Sequence, residues 1–152
     1  AAVRLKWPND VRVDGAKVSG ILIETGSSGK AFWVAAGIGI NVTFAPEIAT
    51  QKTTSLHMLR GDSIIQAGHV LVGLQEAFAL RLEQARTGFA QLRDDWLLLA
   101  EGLGKTIRVS PGGEPVEGVF EDMASDGALV LRLPDGSYQT IRAGDVDLVG
   151  RV

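Results

Sequence analysis

The chain contains no cysteine in its 152 residues. That absence excludes a disulfide framework and any thiolate-held metal, and it fits a reducing cytoplasm. No apolar run approaches the ~18 residues of a membrane span. No signal peptide is visible, since Ala1-Ala2-Val3 leads straight into a charged strand. Positive charge is not in excess. The formal net charge of -3 gives no reason to expect nucleic acid as a partner. The two histidines, His57 and His69, stand far apart without cysteine company, so they read as surface residues rather than metal ligands. Ser19 and Ser55 have no acid–base partners nearby, which leaves a serine-hydrolase triad without support. Gly37-Ile38-Gly39 lacks the third glycine of a dinucleotide fingerprint and opens no helix, so a Rossmann reading is rejected. The chain does not begin with methionine and reads as a processed or cut product.

What is present is globular. An apolar fraction of 45% beside a charged fraction of 22% is not the composition of a disordered chain. Val3 to Lys6 alternates as a strand does. Val11-Arg12-Val13 and Val18 to Thr25 flank Asp14-Gly15, a strong hairpin signal. Gly26-Ser27-Ser28-Gly29 reads as a flexible turn, and Phe32 to Ala36 as a third strand that runs into a Gly37/Gly39 loop. Thr53-Thr54-Ser55-Leu56 reads as a helix entry. A long helix is expected from Asp62 or Ser63, where Ser63 and Gln66 have the form of a capping box. A second helix should cover Phe89 to Ala100 and end at Gly102 and Gly104. Beyond Gly104 the period becomes that of strands: Thr106 to Val109, Val116 to Glu121, Ala128 to Leu133 and Tyr138 to Ile141, with turns between them. Short, closely spaced strands suggest a small SH3-like barrel. The expectation is an α+β protein with a mixed, largely antiparallel sheet over residues 1–103, followed by that barrel over residues 104–152.

The chemistry concentrates near the start. Lys6-Trp7-Pro8-Asn9-Asp10 is followed by Lys17-Val18-Ser19-Gly20-Ile21-Leu22-Ile23-Glu24 and then by Gly37-Ile38-Gly39-Ile40-Asn41-Val42. Lys17 reads either as a solvated lysine beside a turn or as a fixed cation that stabilises charge developing on a carboxylate or phosphoryl group. Asn9 and Asp10 either bond their own turn or face a phosphate and its magnesium, for which oxygen ligands suit a hard cation. Lys6 is solvated or pairs with phosphate. Trp7 is a core or pocket-wall aromatic. Gly37 and Gly39 signal close approach to the backbone. Asn41 caps a loop or reads an adenine edge.

In this order, with Thr54-Ser55-Leu56, Asp126-Gly127-Ala128-Leu129 and Ala143-Gly144-Asp145-Val146 behind them, these motifs resemble the signatures of bacterial biotin-protein ligases. The resemblance runs over nearly the whole chain. It implies the class II synthetase-like catalytic fold of that family and a C-terminal SH3-like domain. It also implies that biotin's carboxylate attacks the α-phosphate of ATP in the presence of Mg2+, giving biotinyl-AMP, and that a lysine of a biotin carboxyl carrier domain then takes the biotinyl group. Lys17 matches the catalytic lysine, which also contacts biotin. Lys6, Asn9, Asp10 and Asn41 match the ATP side, with Asn9 and Asp10 near the metal. Gly37 and Gly39 match the biotin pocket.

The family also carries an upstream Gly/Arg-rich segment that closes over the adenylate, together with further sheet and helix. Neither is found in these residues. The chain is therefore expected to be the C-terminal half of a catalytic domain plus its barrel, inactive alone, with the N-terminal half or a homodimer partner covering apolar surface on the sheet or on the Asp62–Arg86 helix. The alternatives are a non-catalytic binding module of this type and an acyl-carrier enzyme of the lipoate-ligase group.

Overall fold

In the computed structural model, residues 1–61 and 64–149 are described. The expected capping residues Asp62 and Ser63 lie outside them. Two antiparallel-rich sheets and three helices make up the fold, in the order β1 (Val3–Lys6), β2 (Asp10–Val13), β3 (Ala16–Ser28), β4 (Ala31–Ile40), α1 (Leu56–Arg60), α2 (Ala67–Thr87), α3 (Phe89–Leu99), β5 (Thr106–Ser110), β6 (Val116–Met123), β7 (Leu129–Arg132), β8 (Tyr138–Ile141) and β9 (Asp145–Leu148). The α+β class is as expected. No helix among the described residues is long and apolar enough to cross a membrane. The chain divides into two compact units, Ala1–Arg4 with Asn9–Val72 and Leu5–Pro8 with Gly73–Val152. This division falls within α2, away from the change of period at Gly102–Gly104.

The first unit is built on the sheet β1-β2-β3-β4. Asp14 (φ 48°) and Gly15 (φ 80°) form the tight turn between β2 and β3, with both central residues left-handed as a two-residue hairpin needs. β3 and β4 are longer than expected, and they pair without a break from Ser19↔Ile40 to Ser28↔Ala31. Two readings change as a result. Gly37 and Gly39 are strand residues of β4, not a loop. Gly26 is also in a strand: it pairs with Trp33, and a Cβ there would fall 2.4 Å from Trp33 Cζ2. The glycine leaves room for an indole laid across the neighbouring strand, and the turn comes later, at Gly29. Ser55 is the N-cap of α1, and its hydroxyl accepts from the Met58 N–H.

The first unit buries few side chains, chiefly Val13, Val18, Ser19, Thr54 and Ser55. Its long hairpin instead exposes Leu22, Ile23, Phe32, Trp33 and Val34. The helix expected to begin near residue 62 begins at Ala67, leaving Ile64 outside it and 87% exposed. None of its residues is buried. Apolar surface is thus open on both elements where it was expected.

The second unit has a closed core. Its sheet runs β8-β7-β6-β5-β9, with each neighbouring pair antiparallel. Strand β9, absent from the sequence reading, completes it against β5. Alternation sends Ile107, Val109, Phe120, Met123, Leu129, Leu131, Ile141 and Val146 to one shared interior, so the five strands curl around their own core as a small barrel does. Trp7 joins that core, and its indole Nε1 donates to the Gly127 carbonyl at 3.1 Å. Helix α3 closes the core with Trp96, 6.4 Å from the Phe120 ring, and with Arg93, whose guanidinium donates to Asp122 and to the Met123 carbonyl.

Candidate functional site

The candidate site belongs to the first unit and is organised by β3. Its Lys17-Val18 backbone is gripped by neighbouring segments. Lys17 N donates to the Lys52 carbonyl, Thr54 N to Lys17, and Asn41 N to Val18. Asn41 then ties the stretch after β4 to the entry of α1. Its side-chain nitrogen donates to the Thr54 carbonyl at 3.0 Å, and its own carbonyl accepts from Leu56 N. On the other side of β3, Asn9 is clasped to Ile21 twice. Its backbone carbonyl accepts from Ile21 N at 2.9 Å, and its side-chain nitrogen donates to the Ile21 carbonyl at 2.7 Å. Asn9 therefore bonds the adjacent strand rather than its own turn.

The Lys17 side chain turns toward Asp10, and the ammonium lies 2.6 Å from Asp10 Oδ1. Both side chains are mostly sheltered, at 26% and 13% exposure. A charge-assisted contact of that length fixes the position of the ammonium. Around it, one sheet face is almost bare. Gly20 pairs with Asp10 and Gly39, and Leu22 with Gly37, so Gly20, Gly37 and Gly39 lie on one face with Leu22 and Asp10. Removal of three side chains from adjacent positions leaves two shallow hollows. One, of about 540 Å³, is lined by Asn9, Lys17, Gly20, Leu22, Gly37 and Gly39 among others. The other, of about 340 Å³, is lined by Lys17, Ser19, Gly20, Gly39, Asn41, Pro46 and Thr53 among others. Lys17, Gly20 and Gly39 belong to both.

The structure thus brings together Lys17, Asn9, Asp10, Gly37, Gly39 and Asn41, six of the residues singled out from sequence. Lys6 is placed in the second unit, with Nζ 4.0 Å from Asp147 Oδ1. Gly20, Ser19, Pro46 and Thr53 line the hollows without having been singled out as site residues. Gly20 stood inside the quoted motif, and its spacing from Gly37 and Gly39 across a hairpin was the signal that could have found it. Among the described residues no group of three or more His, Cys, Asp or Glu could hold a metal ion. Asn9 and Asp10 supply oxygens of the type a hard cation takes, but they form no cage, so a Mg2+ there fits only as an ion carried in with a nucleotide's phosphates.

Residues 1–41 match the Biotin/lipoate A/B protein ligase family, and residues 102–149 match the Biotin protein ligase C terminal domain. The chain is 38% identical to a biotin–[acetyl-CoA-carboxylase] ligase of Paracoccus denitrificans over 96% of its own length and 63% of that protein. To the ligase of the same description from Mycobacterium tuberculosis it is 35% identical, over 96% of its own length and 53% of that protein. Among solved structures, the biotin protein ligase of Aquifex aeolicus in complex with biotin and ATP superposes with a TM-score of 0.78 at 26% identity, covering 96% of this chain and 61% of that one. The chain thus spans roughly half to two thirds of the length of these relatives, and its two matched segments hold Asn9, Asp10, Lys17, Gly37, Gly39 and Asn41 in one and the curled sheet in the other. It belongs to the biotin protein ligase family.

Proposed function

We propose that the protein carrying this chain attaches biotin to a lysine of a biotin carboxyl carrier domain through a biotinyl-AMP intermediate. The observation that carries this reading is Lys17, an anchored ammonium that lines two adjoining hollows on a sheet face opened by three glycines. Joining a carboxylate to a triphosphate means bringing two anions together. A fixed cation at their meeting point offsets that repulsion and stabilises the charge that develops as they react. Biotin lies over Gly37 and Gly39, and the nucleotide extends toward Asn41. The Asn41 amide keeps its oxygen and a second N–H for an adenine edge, since one N–H is spent on Thr54. Asn9 and Asp10 face the phosphates and a Mg2+ that accompanies them.

In the first step a biotin carboxylate oxygen bonds to the α-phosphorus, and the bond to the bridging oxygen of pyrophosphate breaks. In the second the carrier lysine's neutral amine attacks the acyl carbon. The new amide forms as AMP leaves, and the amine gives up a proton. Lys17 orients the carboxylate and faces the growing charge in the first step, and faces the departing phosphate in the second. The hollows are open on one side, and an adenylate needs shelter from water. The part of the ligase that relatives carry beyond the matched stretch supplies that shelter and covers Phe32, Trp33 and Val34. The 104–152 segment, whose strands supply most of the second unit's core, acts as a C-terminal domain that assists nucleotide or carrier engagement in the cytoplasm.

The test is transfer of radiolabelled biotin to a carrier domain by the full-length protein, with lipoate as competitor substrate and Lys17→Ala as the variant. Biotin should be transferred and lipoate should not. The variant should fold normally and form adenylate about 10²- to 10³-fold more slowly in single-turnover measurements. Adenylation at the wild-type rate by a folded Lys17→Ala protein would remove Lys17 from the reaction, and transfer of lipoate in preference to biotin would place the protein in the lipoate group.

A further inference from the structure

Gly20 lies where the Lys17 side chain must pass to reach Asp10. A Cβ on Gly20 would sit 3.0 Å from both Lys17 Cε and Lys17 Nζ, and 3.6 Å from Asp10 Oδ1. Non-bonded carbons settle at roughly 3.5–4.0 Å, so the tip of Lys17 would have to give way by a few tenths of an ångström. The atoms crowded are the end of a flexible side chain, not backbone. The sheet can therefore accept a methyl group at position 20, whereas the ammonium cannot stay where it is. Gly37 and Gly39 differ in this respect. A Cβ on either would meet its nearest neighbours only at 3.7 Å or beyond, so those two glycines open the hollows without holding any side chain in place.

We propose that Gly20 is a positioning residue for Lys17. Its missing side chain, with the Asp10 carboxylate across the strand, forms the slot that fixes the ammonium at the junction of the two hollows. The inference rests on the ligase reading for its catalytic consequence, but the slot itself is a property of β2 and β3. It assigns to the glycine of Lys17-Val18-Ser19-Gly20 a task distinct from that of the glycines in Gly37-Ile38-Gly39. A displacement of about 1 Å at a reacting centre costs on the order of a hundredfold in rate, so a shift of a few tenths of an ångström should cost several-fold.

The experiment compares wild-type full-length protein with Gly20→Ala, Lys17→Ala and the double variant. A brief pulse of a lysine-acylating reagent, read by peptide mass spectrometry, reports how Lys17 reacts relative to the exposed Lys30 of the same chain. The wild-type Lys17 should label more slowly than Lys30, and Gly20→Ala should bring the two rates together. Adenylate formation should fall several-fold, up to about tenfold, in Gly20→Ala. It should fall no further when Gly20→Ala is added to Lys17→Ala, because a residue acting through another adds nothing once the other is gone. An unchanged Lys17 labelling ratio overturns the proposal, as does a Gly20→Ala loss that persists undiminished in the Lys17→Ala background. Should Gly20→Ala fail to fold, a folded double variant still supports the slot, and an unfolded double variant overturns it. If the wild-type protein transfers no biotin, the labelling ratio alone decides the positioning claim, and only the ligase reading falls.

Discussion

The two sheets of this molecule put their glycines and their apolar residues to opposite uses. In β5–β9 the large apolar residues are inside: Ile107, Val109, Leu129 and Leu131 are fully sequestered, and Phe120 is 1% exposed. In β3–β4 they are outside, with Phe32 70% and Leu22 63% exposed. Glycine follows the same division. Gly118 of β6 faces the second sheet's interior, where a Cβ would fall 2.9 Å from the Arg132 carbonyl oxygen. There it lets one strand close tightly on the next. Gly20, Gly37 and Gly39 clear a surface. One sheet stores the cohesion, and the other, only lightly packed, carries the candidate site. Hydrophobic stabilisation scales with area removed from water, so the first sheet has little of its own to lose.

Breaking the stable side should have the largest effect. Phe120→Ala removes a buried ring packed against Trp96 and should cost about 3–5 kcal/mol. In this 152-residue chain by itself, Phe32→Ala on the exposed hairpin should shift unfolding free energy by no more than about 0.5 kcal/mol in either direction. Denaturant titration of the two variants measures the contrast directly. Equal losses would mean that the β3–β4 face is packed as tightly as the barrel core.

A middle-sized effect sharpens the glycine comparison. Gly118→Ala should cost about 1–3 kcal/mol, because the new methyl meets backbone that cannot move aside. Gly37→Ala meets its nearest atom, the Leu22 carbonyl oxygen, at 3.7 Å, so it should leave stability almost unchanged. By narrowing the larger hollow it should weaken biotin binding instead. Paired calorimetric titration and thermal unfolding separate the two. A Gly37→Ala protein that melts as early as Gly118→Ala would show that Gly37, too, is a packing glycine.

The same contrast explains what could be read from the sequence. The barrel strands announced themselves, because alternation and Gly-containing turns are local signals that the fold later agrees with. Only β9 was missed, since Asp145-Val146-Asp147-Leu148 is short and carries two acids; its pairing with β5 is a long-range event. The candidate site residues were named from motif order, and Lys17, Asn9, Asp10, Gly37, Gly39 and Asn41 converge in space. What local pattern could not supply was geometry. Gly26-Ser27-Ser28-Gly29 looks like a turn until Trp33 is seen lying over Gly26. Gly37 and Gly39 look like a loop until their partners Leu22 and Gly20 are known. Lys17 could be solvated or anchored, and only its approach to Asp10 decides. Each of these depends on a neighbour brought in by strand pairing.

The smallest effect belongs to the stable side again and concerns acid. Three carboxyls of the second unit are held below their ordinary value. Asp135 is lowered chiefly by the Ser137 hydroxyl and then by the Ser137 N–H, which bond Oδ1 at 2.6 and 2.9 Å. Asp126 is lowered chiefly by the Ala128 N–H and then by Arg142, and Asp95 chiefly by Arg81 and then by Gln91. A carboxyl depressed in the folded state stabilises the fold fully above its unfolded pKa, taken as 3.8, and loses that contribution as pH falls through the lower folded value. The loss should therefore begin only below about pH 4, with no change from pH 5 to pH 7. All three groups lie at the surface, so the effect is modest and should weaken with salt. Asp135→Asn isolates one of them, since the amide keeps an acceptor for Ser137 but cannot titrate. The difference in melting temperature between wild type and this variant should be constant near neutrality and shift against the wild type as the pH approaches 3. A difference that stays flat through that range, or shifts in favour of the wild type toward acid, would show that the turn at Asp135 owes nothing to its charge.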